Sequence, residues 1–291
     1  MGNRKKRLEL VGTRQDVVFT MEKYGVSERH ACELNKIDRS SYRYEPREDR
    51  NAKLRDQLTE LARRKPRFGY RRLGVLLERA GESVNHKRLF RVYRAAGLSL
   101  RRRERKRIER GQVGMPLLTR PNQEWSLDFI SDALSNGRGI RAFTMLDGFT
   151  KESPAIEVDC SLPAPRVTRV LDAVINKRGA PDSIRIDNGP EFTSRCLVAW
   201  AEQRGIKLVY IQPGKPVQNS FIESFNGRFR DECLNANWFE NLADARNKIE
   251  AWRLDYNHHR PHSSLDYRTP EEFARRWSDS TKGLNSDDGP S

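Results

Sequence analysis

The stretch EWSLDFI, residues 124–130, alternates large apolar side chains with smaller or polar ones at a period of two. In an extended strand, one face takes three large apolar side chains and the opposite face takes the others: Trp125, Leu127 and Phe129 against Ser126, Asp128 and Ile130. Aspartate is depleted in strand interiors, so Asp128 between two large apolar residues needs an explanation. Either this strand lies at the edge of a sheet, where the carboxylate reaches water, or the carboxylate is functional.

The residues after this stretch predict an α/β layer fold. Further strands are predicted over residues 140–147, 152–159, 184–187 and 207–211. Helices are predicted over about 165–178, 193–204, 217–234 and 242–257. Three consecutive strands followed by alternating helices and strands are typical of an α/β architecture.

Two more carboxylates stand out in this part of the chain. Asp187 ends a predicted strand, a position where α/β proteins collect functional residues, but Asp-Asn-Gly is also a common turn sequence. Glu223 completes a Ser-x-x-Glu capping box that begins at Ser220, which would make it a helix-terminus residue. On the helix, however, it shares a polar face with four other residues: Asn219, Asn226, Gly227 and Arg230.

The three carboxylates are more specific together than singly. Two strand-borne aspartates and a helix-borne glutamate can meet at one metal site, because hard divalent cations prefer carboxylate oxygens. Two such ions stabilise both the attacking and the leaving oxygen in phosphoryl displacement. The pattern therefore favours metal-dependent phosphoryl chemistry.

The first hundred residues predict small helical modules. Residues 1–48 contain short helices between about Gln15 and Tyr44, with breaks at Gly25 and near Asn35 and N-caps at Ser27 and Asp38. A helix-turn-helix and an ordinary helical bundle fit this segment equally well.

Residues 49–100 predict three helices, the last capped by Asn85 and stopped by Gly97. This last helix places its apolar residues on one face and four cations on the other: Lys87, Arg88, Arg91 and Arg94. A face with four cations and no acid is typical of a helix that contacts DNA. A solvated charged face is the alternative.

The positive charge is concentrated at the N-terminal end of the chain. The chain has 291 residues and a net charge of +15, but residues 1–120 carry +18 and residues 121–291 carry −3. Residues 101–110 form the run RRRERKRIER, so residues 101–120 are predicted to be a basic linker whose Arg101, Arg102 and Arg103 contact phosphates. A basic part joined to a near-neutral part suits a DNA-holding module attached to a chemical one.

The composition also limits the class of protein. The four cysteines lie far apart without a C-x-x-C spacing, which argues against a zinc finger and a disulfide scaffold. No run of 18 apolar residues and no leader pattern is present, so we expect a cytoplasmic, nucleoid-associated protein without a membrane partner.

Three segments resemble the integrase core of bacterial insertion-sequence transposases of family three, in the second-reading-frame protein, which is related to retroviral integrases. They are WSLD ending at Asp128, DNGPEF starting at Asp187, and NSFIESFNGR around Glu223. The 35 residues between Asp187 and Glu223, Arg230 seven positions after the glutamate, and the YNHHRPH run at residues 256–262 belong to the same pattern. The likeness covers about residues 15–277.

The resemblance implies a ribonuclease-H-like core over residues 121–277, preceded by small all-α helix-turn-helix modules. The composition of residues 278–291 separately predicts a polar, frayed tail. It implies that Asp128, Asp187 and Glu223 are catalytic and hold two Mg²⁺ or Mn²⁺ ions, with Arg230 placing the DNA backbone nearby. Water would attack a phosphodiester at the element end, and the freed 3′-hydroxyl would attack a second phosphodiester, without a covalent enzyme intermediate. Lys215 is a weaker candidate for DNA contact.

The resemblance also implies partners: element ends and target DNA, further copies of the chain assembled on DNA, and the first-reading-frame protein or a frameshift fusion with it. The chain departs from the family pattern in three respects. The acidic doublet after the second strand reads Asp147-Gly148, which leaves Asp147 a structural role. The coiled coil and end-binding helix-turn-helix of the first reading frame are not found, and neither is the His/Cys zinc domain of retroviral integrases. The histidines His258, His259 and His262 are interpreted as part of a closing element that fixes the glutamate-bearing helix, because no cysteine or carboxylate cluster completes a metal shell.

Two rival functions fit fewer of these features. A metal nuclease of the same fold would stop at hydrolysis. A non-catalytic DNA-binding regulator would use only the basic helices, and the intact set of three carboxylates argues against it.

Overall fold

The structure is a computed structural model that describes residues 2–45, 49–100, 117–212 and 216–284. The chain forms two compact units, Met1–Lys53 and Leu54–Ser291. The linker cations Arg101, Arg102 and Arg103 lie outside the described residues, and so does Lys215.

The first unit contains three helices, α1 (Gly2–Tyr24), α2 (Glu28–Leu34) and α3 (Arg39–Arg43). The break at Gly25 is confirmed, since this glycine has a φ of +61°, and Ser27 caps α2 by accepting a hydrogen bond from the backbone N–H of His30. Asp38 precedes α3 as predicted, but its side chain makes no capping hydrogen bond. Helix α1 begins at Gly2, well before the predicted start.

Three further helices follow, α4 (Ala52–Arg64), α5 (Tyr70–Arg79) and α6 (His86–Ala95). The predicted signals are confirmed, because Asn85 accepts a hydrogen bond from the Lys87 N–H and Gly97 has a φ of +71°. The apolar faces of the helices form a small buried core that contains Leu58, Leu73 and Leu89. The four cations predicted to contact DNA are all exposed on α6: Lys87, Arg88, Arg91 and Arg94. Their contact with DNA stays a prediction.

The centre of the second unit is a five-stranded sheet built from β1 (Glu124–Ala133), β2 (Gly139–Asp147), β3 (Ile156–Asp159), β4 (Ser183–Ile186) and β5 (Lys207–Tyr210). The strand order is β3-β2-β1-β4-β5, with β1, β2 and β3 antiparallel and β4 and β5 parallel to β1. The predicted α/β, ribonuclease-H-like core is confirmed. Strand β3 starts later than predicted because the chain first turns tightly around Asp147, whose carboxylate accepts hydrogen bonds from the N–H groups of Phe149 and Thr150.

Strand β1 is the middle strand of this sheet, which excludes the edge-strand explanation for Asp128. The predicted alternation is confirmed. Trp125 and Leu127 enter the core beneath α7 (Ala164–Arg178) and α8 (Arg195–Gln203). Ile130 enters a separate core beneath α9 (Ser220–Glu232) and α10 (Leu242–His258). Asp128 therefore belongs to the α9 face.

Helix α9 is fixed from behind by aromatic side chains and a buried ion pair. Phe225 meets Tyr256 edge-to-face at 4.9 Å between ring centroids, and Trp252 packs on Phe229 at 5.0 Å. Arg260 is 2% exposed, and its guanidinium donates two hydrogen bonds of 2.6 and 2.8 Å to the Glu232 carboxylate. The predicted role of residues 256–262 as a closing element is confirmed.

Helix α11 (Pro270–Leu284) extends past Ser278, so the prediction of a frayed tail from that residue is wrong as far as Leu284. A capping box starts the helix: the Thr269 N–H donates to the Glu272 carboxylate and the Glu272 N–H donates to the Thr269 hydroxyl. Phe273 and Trp277 then pack on Phe149, which holds the middle of the helix to the core. Because the residues after Ser278 are polar, the sequence does not indicate that the helix continues through them to Leu284.

Helices α4 and α5 contact the α/β core directly. Lys65 pairs with Asp255 at 2.6 Å, Arg79 pairs with Glu272 at 2.7 Å, and Phe68 lies beneath the Arg260 guanidinium at 5.6 Å. The assignment of residues 49–100 to a helix-turn-helix-like module of their own stays a prediction. None of the helices in the described parts of the chain is long and apolar enough to cross a bilayer.

The Glu232–Arg260 pair gives a prediction about stability. Glu232→Gln leaves the buried Arg260 guanidinium without a counter-charge, so we expect the free energy of unfolding to fall by about 3–5 kcal/mol. Urea denaturation followed by circular dichroism measures this. Glu60→Gln is the matched control, because its partner Arg64 is 69% exposed and the change should cost less than about 1 kcal/mol. Equal losses in the two variants would contradict the anchoring role of Arg260.

Candidate active site

Asp128 lies half-buried on β1 and both of its carboxylate oxygens are held. Oδ1 accepts a hydrogen bond of 2.7 Å from the backbone N–H of Phe129. Oδ2 accepts a hydrogen bond of 2.7 Å from Nδ2 of Asn226 on α9. The second bond ties the helix that carries Glu223 to the centre of the sheet.

Asp187 follows β4 immediately. The parallel pairing of β1 with β4 ends where Ser126 lies opposite Arg185, and Asp128 and Asp187 each come two residues after that pair. The charge of Asp187 acts on the Asp128 carboxylate, so the two side chains are neighbours. Asp187 also serves the turn, since its Oδ1 accepts a hydrogen bond of 2.9 Å from the Gly189 N–H. The turn therefore orients the carboxylate and does not compete with a functional role.

Gly189 leaves room for this orientation. A Cβ atom at Gly189 would stand 2.9 Å from Oδ1 of Asp187, closer than real Cβ contacts occur. The side chain of Asp187 would have to shift to make room, so a larger residue at position 189 would change where the carboxylate lies.

Glu223 is exposed on α9, three residues before Asn226. The capping-box alternative is wrong, because Ser220 is the first helical residue and the N-cap is Asn219, whose side chain makes no capping hydrogen bond. Glu223 shares the open face of the helix with Gly227 and Arg230, as predicted. Asn219 and Asn226, predicted on the same face, are buried instead.

The electrostatics of the site reflect three crowded carboxylates. Burial raises the pKa of Asp128, and the negative charges of Asp187 and, to a smaller extent, Glu223 act in the same direction. The hydrogen bonds from Phe129 and Asn226 partly oppose this rise. Among the described residues, none of the three carboxylates forms an ion pair. Their negative charge is therefore uncompensated, which favours a cation.

The carboxylates are not drawn into a tight ligand set. Within the described ranges, no group of three or more His, Cys, Asp or Glu side chains is arranged to hold a metal ion. The donors are nevertheless all carboxylates, which is the ligand type that Mg²⁺ and Mn²⁺ accept. The residues fit such ions chemically, and Glu223 lies on the exposed face of α9.

The histidines of the closing element have other contacts. His258 pairs with Glu271, and His262 is buried edge-to-face against Tyr256 at 4.8 Å. Burial lowers the pKa of His262 to about 2, and the positive charges of Arg260 and Arg228 add to this. The ring is therefore neutral at physiological pH.

Two features near the site were not found from the sequence. The sequence predicts that Asn226 lies on a polar face of the helix, but it does not predict the hydrogen bond from Asn226 to Asp128. The signal for a role of Asn226 in the site is its position one helical turn after Glu223. A buried bidentate ion pair joins Glu124 on β1 to Arg185 on β4, with hydrogen bonds of 2.8 and 2.9 Å. The signal for it was an arginine between two isoleucines in a short apolar strand.

Asp147 has the structural role that the sequence indicated. Its carboxylate is fully buried and accepts hydrogen bonds from the N–H groups of Asn122, Phe149 and Thr150, and from Arg178. Phe149 and Thr150 belong to the turn after β2, whereas Asn122 precedes β1 and Arg178 ends α7. The carboxylate therefore holds the turn to two other segments of the core.

Arg230 is exposed, and its Nη2 donates a hydrogen bond of 3.0 Å to the backbone carbonyl of Ser131 on β1. It does not pair with its neighbours Asp231 or Glu232 in the described part of the chain. One end of the guanidinium is therefore anchored on the strand that carries Asp128. Its contact with DNA stays a prediction.

Comparison with known proteins identifies relatives that match most of the chain. Models of the "integrase core domain" match residues 119–216 and 204–270. A 31.7 kDa protein of insertion element IS407 from Burkholderia multivorans is 51% identical over 88% of this chain and 93% of that protein. A 39.2 kDa protein of insertion element IS476 from Xanthomonas euvesicatoria is 45% identical over 91% of this chain and 77% of that protein.

More distant relatives carry the word transposase or integrase in their names. The putative transposase InsK of element IS150 from Escherichia coli is 25% identical over 81% of this chain and 89% of that protein. A solved HTLV-2 integrase catalytic core domain in complex with magnesium is 19% identical, with a TM-score of 0.43 over 53% of this chain and 97% of that chain. With 51% identity across nearly the full length of the IS407 protein, and an integrase core over residues 119–270, the chain belongs to the integrase-core family of insertion-sequence transposases.

Proposed function

We propose that this chain cleaves the 3′ ends of an insertion sequence and joins them to target DNA. The observation that carries the proposal is the Asp128 carboxylate, which lies on the central strand, feels the charge of Asp187, and is tied to the Glu223 helix through Asn226. A half-buried carboxylate on a central strand destabilises the sheet unless a cation or hydrogen-bond donors compensate its charge. Membership of the transposase family supplies the reaction class.

Asp128, Asp187 and Glu223 would hold two Mg²⁺ or Mn²⁺ ions, the two aspartates sharing them and Glu223 completing the second site. When bound, such ions offset the negative charge that develops on the attacking and leaving oxygens of a phosphodiester. The chain itself keeps the ligands oriented. Asn226 and the Phe129 N–H orient Asp128, and the Gly189 N–H orients Asp187.

The reaction proceeds in two displacements at phosphorus. Water attacks the phosphodiester at the element end, the P–O3′ bond breaks, and a 3′-hydroxyl is released. That hydroxyl then attacks a target phosphodiester, forming a new P–O bond while the target strand releases its own 3′-oxygen, which takes up the proton. No bond to the protein forms in either step.

The basic N-terminal part would hold DNA while the near-neutral core does chemistry. The exposed cations of α6 supply the phosphate contacts: Lys87, Arg88, Arg91 and Arg94. The partners proposed are the element ends and target DNA, further copies of this chain assembled on DNA, and the first-reading-frame protein or a fusion with it.

Removing any one metal ligand should abolish both reactions. Asp128→Asn, Asp187→Asn and Glu223→Gln each keep the side-chain shape but remove a charge, so cleavage and joining should fall by at least about a hundredfold with an unchanged melting temperature. Cleavage and strand joining of a labelled element-end duplex with Mg²⁺ or Mn²⁺ measure this.

Asp266→Asn is the matched control, since this aspartate is 86% exposed and has a φ of +51°, which asparagine also adopts readily. Cleavage without joining in the unmodified protein would favour the nuclease alternative. Absence of both reactions, with retained DNA binding, would favour the regulator. Joining above a few per cent in one substituted variant would remove that residue from the site.

Arg230→Ala should impair joining more than DNA binding. The guanidinium is anchored on Ser131, two turns along α9 from Glu223, so it is placed to hold a phosphate next to the scissile one. We expect joining to fall by about tenfold or more and duplex affinity to change by less than about twofold, because many other cations hold the duplex. Arg169→Ala, an exposed arginine on α7, is the control. Unchanged joining in the Arg230 variant would contradict a role in DNA positioning and would leave Arg230 as a surface residue that bonds the Ser131 carbonyl.

A further inference from the structure

A groove lies between α5, α6 and the turn at residues 263–267, and none of the three carboxylates of the active site lines it. Its volume is about 650 Å³. Its described lining contains three arginines, four aromatic rings and no acidic residue. We name it the aromatic groove, and the residues that matter here are Arg67, Tyr70, Arg71, Arg72, Phe90 and Tyr267.

The rings of the groove present an apolar face to solvent. Tyr70 packs against Phe90 at 4.9 Å and against Tyr93 at 6.0 Å between ring centroids. Tyr93 is buried in the helical core, whereas Phe90 remains 43% exposed. Exposing the apolar ring of Phe90 to water does not stabilise the protein, and the free face of the ring is suited to stacking against another flat ring.

The arginines of the groove carry more positive charge than the protein compensates. Burial lowers the pKa of Arg72 to about 10, and the neighbouring charge of Arg260 adds to this, so Arg72 remains charged but is crowded by another cation. The nearby acid, Glu232, is already held by Arg260 through two hydrogen bonds. Arg260 itself keeps a buried Nη1 atom with no hydrogen-bond partner in the described structure.

The other two arginines of the groove, Arg67 and Arg71, are exposed to solvent. Nε of Arg71 donates to the Tyr70 hydroxyl at 3.2 Å, with its guanidinium 5.8 Å from the Tyr70 ring centroid. Arg67 is exposed and forms no ion pair within the described residues. An anion at this place would be bound by several guanidinium groups, and a flat ring attached to it would meet the aromatic face.

We propose that the aromatic groove binds an unpaired nucleotide of DNA, with the base stacked on Phe90 and Tyr70 and the adjacent phosphate held by Arg71 and Arg72. Alternating aromatic faces and cations are what single-stranded nucleic acid requires, because every base has a face to stack and every link carries a charge. Paired bases are already stacked on each other, so a regular duplex would leave the Phe90 face unused. The inference rests on the proposed function only for the presence of DNA, and it does not involve the metal ions.

The test uses the full chain in EDTA, so that binding is separated from metal chemistry. Fluorescence anisotropy with an oligothymidine of about ten nucleotides and with a duplex of equal length gives the two affinities. Phe90→Ala should weaken the single strand about tenfold and the duplex less than about twofold, and Arg71→Ala should do the same. Phe90→Trp should restore single-strand binding.

The controls are chosen to match the substitutions. Trp238→Ala removes another exposed aromatic ring, 73% exposed, and Arg169→Ala removes another exposed arginine, and neither should change either affinity. If Phe90→Ala lowers the melting temperature, Phe90→Leu keeps apolar contact with Tyr70 and carries the same expectation.

Several outcomes would overturn the inference. Unchanged single-strand affinity in both Phe90 variants would do so, and so would equal loss of single strand and duplex, which would make the groove part of a duplex surface. Displacement of the oligothymidine by polyglutamate at equal charge would show a general anion or acidic-peptide surface instead. None of these results tests the catalytic role proposed for the three carboxylates. A failure of that proposal would appear only in the cleavage and joining assay.

Discussion

Asp128 places a negative charge on the middle strand of a five-stranded sheet, and much of the second unit is arranged around that charge. Burial and two neighbouring carboxylates raise the pKa of the carboxyl group, so the ionised form is held at a cost. The hydrogen bonds from Phe129 and Asn226 lower this cost, and the second of them fixes where α9 crosses the sheet. Because α9 also carries Glu223 and Arg230, the position of one carboxylate sets the position of the rest of the site.

The support behind α9 comes from residues 252–260. Tyr256 and Trp252 fill the space against Phe225 and Phe229, and Arg260 neutralises Glu232 in a nearly closed environment. The same Arg260 lies over Phe68, which belongs to the segment before α5. The helix that carries the glutamate and the helices that carry the exposed cations are thus held by one shared side chain.

Much of the architecture could be predicted from the sequence because its signals are local. Period-two alternation located β1 and its faces, and Gly25, Asn85 and Gly97 marked helix boundaries through backbone conformation and capping. The edge or central position of β1 could not be predicted, since strand order is decided by long-range pairing. The burial of Asn226 and the Glu124–Arg185 pair depend on the same pairing, and the length of α11 depends on Phe149, more than a hundred residues away.

The central claim is that Asp128, Asp187 and Glu223 together bind divalent ions, and Mn²⁺ binding followed by electron paramagnetic resonance tests it most directly. The signal of free Mn²⁺ falls as ions are taken up, so the number bound per chain is read without any DNA or turnover. We expect saturable uptake of about two ions per chain, and its loss in Asp128→Asn and in Asp187→Asn but not in Asp266→Asn. Mn²⁺ uptake by a variant carrying both Asp128→Asn and Asp187→Asn that equals that of the unmodified protein would contradict the account.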